Sequence, residues 1–237
     1  AIFTLSLAGY MPVWEPLLIY ALGTLWYGLF NWFWFWIWRE QPLRESLSLL
    51  YRELADYCEA KYSLLTQHTD PEKALPPLLV RQQKAVDLIT QCYQQMHMLS
   101  AQNNTDYKRM LRIFQEALDL QEHISVSLHQ PEEVQKLVER SHAEEVIRWN
   151  AQTVAARLRV LADDILYHRL PTRFTMEKQI GALEKIARQH PDNPVGQFCY
   201  WHFSRIARVL RTQKPLYARD LLADKQRRMP LLPALKS

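Results

Sequence analysis

The sequence predicts an all-α protein: a transmembrane helix, preceded by the tail of another, followed by a cytoplasmic antiparallel helical bundle. Three observations carry this. Pro16 to Trp38 is an apolar run without a single Asp, Glu, Lys, Arg or His. Beyond it, apolar residues recur in steps of three and four, and no stretch alternates polar and apolar over a useful length. The punctuation is proline, not glycine: after Gly28 only Gly181 and Gly196 remain.

The first element is the run itself. A hydrocarbon core about 30 Å thick needs roughly 20 apolar residues in a helix. The run ends in Trp32, Trp34, Trp36 and Trp38, followed at once by Arg39. Tryptophans at headgroup depth and then a cation mark where a spanning helix leaves the bilayer, so these five are expected as interface anchors. Asn31 is the only amide in the span and needs a partner helix or a wet cavity, so it is a candidate for lining a solute path. Residues 1–8 are apolar but too short to span and are expected to end a preceding transmembrane helix. Residues 9–15, with Gly9 and Pro12, form an external turn.

Charge gives the orientation. All 29 Lys and Arg lie at or after Arg39, against 24 of the 25 acids, whereas Gly9–Glu15 has no cation. The positive-inside rule therefore puts residues 39–237 on the cytoplasmic side of a multi-pass membrane protein. Cys58, Cys92 and Cys199 are few and far apart, as suits a reducing compartment.

The bundle helices follow in order. One is expected from about Pro42 to Gln67, on a seam of Leu43, Leu47, Leu50, Leu54, Tyr57 and Leu64 that Lys61 interrupts. Residues 68–77 break the pattern, since Pro76 and Pro77 disfavour a helix interior. The next helix is expected from Pro77 to Gln102. Thr105 or Asp106 caps another, to about His129. Pro131 starts a short one to about Arg140, and His142 to Leu170 form the longest. Helices near 175–189 and 195–212 close the series, with 190–194 as their turn.

Little in these residues suggests chemistry. Glu139 and His142 have the spacing of a di-iron bundle ligand pair, but no second such pair accompanies them. His202, beside Cys199 and Ile206, reads as a core histidine. No nucleophile stands in a catalytic context and no glycine-rich loop exists to hold phosphate. No enzyme, metal or cofactor is expected. The final run is basic: Arg219, Lys225, Arg227 and Arg228 face only Asp220 and Asp224, which suits anionic headgroups. Interleaved aromatics of a nucleic-acid surface are missing from it.

The segments LWYGLFNWFWFWIWREQPLRESLSLLYRELADY and KPLYARDLLADKQRRMPLLPALKS, with the helical region between them, resemble the YccS/YhfK group. These are bacterial inner-membrane proteins of the fusaric-acid-resistance (aromatic acid exporter) superfamily. The resemblance, strongest to YhfK-like members, covers the whole chain. It implies that the chain is an internal segment holding the end of one membrane half and the cytoplasmic region before a second. It implies an efflux transporter for small organic, including aromatic, acids, with the lipid bilayer and further copies of the chain as partners. The alternative is a membrane-anchored helical scaffold or sensor that binds a partner protein without transport.

Overall fold

The structure is a computed structural model that describes residues 14–37, 40–66, 71–99, 105–125, 136, 138–139, 143–167, 169 and 174–228. Inside its helices the side chains of 15–16, 35–37, 71–72, 74, 105 and 212–228 lie outside the description. Seven helices and no strand occur among the described residues: α1 (Trp14–Ile37), α2 (Gln41–Thr66), α3 (Pro71–Leu99), α4 (Thr105–Ser125), α5 (Glu144–Leu166), α6 (Glu177–Gln189) and α7 (Pro194–Arg228). They fall into two compact units, Ala1–Pro42 and Leu43–Ser237.

In the second unit α2 is the axis. Seventeen of its 26 residues are buried, including every member of the expected seam. A helix buried on nearly all sides must be sheathed by others, and four helices do this. Arg81 and Lys84 of α3 reach Glu53, and Arg81 also reaches Asp56. Tyr51 and Lys61 donate to the carbonyls of Ile113 and Ile124 on α4. Arg52 pairs with Asp163 of α5 at 2.7 Å. Tyr62 packs on Phe203 of α7, with ring centroids 4.6 Å apart.

These pairs fix direction. Three residues forward on α3 go with three back on α2, so the two are antiparallel. The α4 pairs advance together, so α4 runs parallel to α2. Four residues forward from Arg52 to Asp56 match four back from Asp163 to Arg159, so α5 is antiparallel. Arg157 over the Phe174 ring and Asn150 on the Gln179 carbonyl run α6 antiparallel to α5. α7 folds back on α6, joining Gly196 to Ala187 at one end and Arg211 to Glu177 at the other. It is therefore antiparallel to α2. The Asn193 side chain accepts from the Val195 amide at 3.0 Å, and Pro194 occupies the first helical position. That is a cap followed by a residue with no amide to satisfy.

The all-α expectation holds, with three corrections. First, α3 begins at Pro71 and continues through Pro76 and Pro77. The two missing amides fall within its first two turns, and both rings are exposed, so the helix tolerates the loss. Second, α7 passes through Pro215 to Arg228, well beyond 212. Third, Lys61 does not interrupt the seam of α2 but lies within it, 5% exposed. The helix expected over 131–140 lies almost wholly outside the described residues, as does His142. So do residues 1–13, Trp38 and Arg39.

α1 is a 24-residue helix where one is expected. Even so, among the described residues no helix is long and apolar enough in mean hydropathy to cross a membrane. The shortfall has a physical source. α1 carries Trp14, Trp26, Trp32, Trp34, Trp36, Tyr20 and Tyr27, which a hydropathy average counts as polar although their ring bodies are apolar. Glu15 and Asn31 lower the average further.

Candidate functional site

Two regions carry the sequence-predicted residues, and each is described by itself. On α1 every described side chain is exposed, and its large apolar ones run from Leu18 and Phe30 at 50% to Tyr20 at 78%. Trp32 and Trp34 are among them, and Trp34 stacks on Phe30 with centroids 5.9 Å apart. Trp36 is helical, but its side chain lies outside the description. The polar atoms gather on one face. Tyr20, Thr24, Tyr27 and Asn31 follow in steps of four, three and four, which is a single stripe of an α-helix. The Thr24 hydroxyl returns to the Tyr20 carbonyl at 2.8 Å, so it is satisfied without a partner helix. Gly23 leaves a shallow open groove in this stripe, about 340 Å³, lined by Ile19, Tyr20, Gly23, Thr24 and Tyr27. Asn31 lies one turn beyond it. The other described side chains of α1 are aliphatic and aromatic.

Inside the bundle the sequence reading missed a polar cluster around Lys61. Its ammonium donates to the Ile124 carbonyl in the last turn of α4, one of the acceptors a helix end leaves open. Burial lowers the Lys61 pKa to about 8, while the thiols of Cys58 and Cys199 act the other way. Burial pushes those thiols up to about 12, and Cys92 likewise. They therefore stay protonated and are poor nucleophiles. His202 is 2% exposed between Phe198, Phe203 and Tyr62. Burial, then the charge of Lys61 and His123, lowers its pKa to about 4. The core reading of His202 holds. The signal that Lys61 joins the core was its place on the seam, three residues before Leu64 and four after Tyr57.

A void between Arg44, Asp106, Arg109 and Ile165 measures about 10 Å³, enough for a single water at most. No group of three or more His, Cys, Asp or Glu able to hold a metal occurs among the described residues. The second predicted set, Arg219, Lys225, Arg227 and Arg228, lies on the C-terminal turns of α7, whose side chains are outside the description. What the arrangement offers is surface: an aromatic helix with one polar stripe, and an ion-paired bundle.

No solved structure matches the chain. The model of a family described as FUSC-like inner membrane protein yccS matches residues 1–221 of the 237, and the chain belongs to that family of inner-membrane proteins.

Proposed function

We propose that this chain is part of an inner-membrane efflux transporter for small organic acids, aromatic ones included, and that its role is not catalytic. One observation supports this above the others: α1 is a 24-residue helix with no charged residue after Glu15 and with its described side chains exposed all round. A helix whose faces carry no charge and are mostly apolar needs either a protein core or lipid around it. In this reading α1 spans the bilayer. Trp32, Trp34, Trp36, Trp38 and Arg39 hold its cytoplasmic end at the headgroups. Asn31 and the stripe above it face the solute path, while the bundle is cytoplasmic and supports a homo-oligomer. Arg219, Lys225, Arg227 and Arg228 contact anionic headgroups, each contributing about 1 kcal/mol near such a surface.

The deciding experiment reconstitutes the intact protein in lipid vesicles and follows labelled aromatic acids. Transport that is lost in Asn31→Leu is the expected result. Vesicles no more permeable than protein-free controls overturn the transporter and leave the scaffold. The lipid contact has its own test. Replacing Arg227 and Arg228 with Glu weakens flotation of the 39–237 region with anionic liposomes at low salt; unchanged flotation overturns it.

A further inference from the structure

The exposed side chains of α4 spell a pattern. Of its described residues, the exposed ones are Lys108, Arg112, Gln115, Asp119 and Glu122. Their steps of four, three, four and three place them in one narrow stripe. Read along the helix, the stripe is two cations, a neutral amide, then two anions.

The order is unfavourable for α4 alone. Lys108 is in the first turn, at the positive end of the helix dipole, and Glu122 is in the last turn, at the negative end. On the half-buried flanks Asp106 and His123 follow the favourable order, so the reversal belongs to the exposed stripe. Lys108 and Arg112 are like charges four apart, and Asp119 and Glu122 are like charges three apart. Lys108, Asp119 and Glu122 make no ion pair with any described residue.

The same order is self-complementary. A two-fold axis through Gln115 sets Lys108 opposite Glu122 of a second copy and Arg112 opposite Asp119, twice over. An isologous contact of this kind is the commonest way for identical chains to pair. Neighbouring α3 supplies the apolar area such a contact needs. Leu79, Val86 and Tyr93 are exposed at intervals of seven. By the pairings with α2, Val86 and Ile113 are both level with Tyr51, so the row is centred within about 3 Å of Gln115 along the bundle.

We infer that the α3–α4 hairpin is the contact surface between two copies of this chain, paired antiparallel about Gln115. The inference rests on the self-association proposed above and names its surface.

The test uses the intact protein in detergent or nanodiscs, with its mass read by light scattering. Gln115→Cys crosslinks to twice the monomer mass under mild oxidation, while the protein without this substitution, in which Cys58, Cys92 and Cys199 are buried, does not form that crosslink. The pair K108E/R112E dissociates at protein concentrations at least tenfold higher than wild type, and so does D119K/E122K. Mixing the two variants restores a dimer that contains one of each, and the fourfold charge swap restores the homodimer. If the charge variants stay dimeric and Gln115→Cys does not crosslink, this surface is wrong while self-association stands. A monomeric wild type overturns both.

Discussion

The Arg159 guanidinium holds Asp56 and Glu59 on α2, each at 2.7 Å, and Asp56 is shared with Arg81 from the opposite flank. One acid therefore ties α3, α2 and α5 into a single register. All of these groups are between 39% and 45% exposed, so each pair is worth only about 0.2–1 kcal/mol.

Asp56→Ala removes two of these pairs at once and lowers stability by about 1 kcal/mol. Thermal unfolding of the intact protein in detergent measures it. Arg159→Ala followed by Asp56→Ala is less than additive, since the two share a contact. Full additivity at low salt would mean that the register rests on packing alone.

Lys61 makes stability depend on alkaline pH. Its folded pKa, about 8, is below the 10.5 of the free side chain. Between those values the unfolded chain holds a proton that the native state lacks, so stability rises as pH goes from 8 to 10.5. The buried charge is a burden below pH 8. Lys61→Met removes that rise and leaves the Ile124 carbonyl without its donor, so near pH 7 the variant sits within about 2 kcal/mol of wild type. Melting curves of both proteins from pH 7 to 10.5 check the slope.

His202 works at the acid end. Its folded pKa, about 4, is below the ordinary 6.5, so the unfolded state binds the extra proton between these values and stability falls as pH drops from 6.5 to 4. His202→Phe has aromatic neighbours on three sides and flattens that loss. A variant as acid-sensitive as wild type in this window would locate the acid response elsewhere.

Gly181 lies inside α6 with nothing within 4 Å of where a Cβ would be, and Gly196 inside α7 with its nearest contact at an ordinary 3.6 Å. Alanine at either position raises stability by about 0.5–1 kcal/mol, since glycine in a helix interior carries that penalty. By contrast, Leu54→Asp puts a carboxylate where nothing is exposed and unfolds the bundle, while Leu49→Asp, at a position 53% exposed, leaves it folded.

The seam of α2 was readable because Leu43, Leu47, Leu50 and Leu54 repeat at helical spacing, and nearly the same holds for Ile147, Val154, Leu158 and Leu161 on α5. The place of Lys61 on the seam was countable from its spacing, but its burial was not, because a cation in the core depends on an acceptor carbonyl 63 residues away. The start of α3 was hidden by Pro76 and Pro77, since proline's penalty depends on how far from the helix end it falls. The Tyr20–Asn31 stripe was countable from spacing, but it emerges only when polar and small residues are tracked together. The charge order on α4 needed to be known as exposed before it meant anything, because alternating signs on a buried face would instead pair within the chain.

A helix sheathed by later parts of the chain sets a timetable for biosynthesis. Arg52 meets its partner 111 residues downstream, and the Tyr62–Phe203 stack spans more sequence still. At about 5–20 residues per second, the leucine-lined axis waits on the order of ten seconds for its last neighbours to leave the ribosome. During that interval the newborn segment is a target for holdase chaperones, and synonymous codons that slow translation after α2 would lengthen its exposure to aggregation and proteolysis.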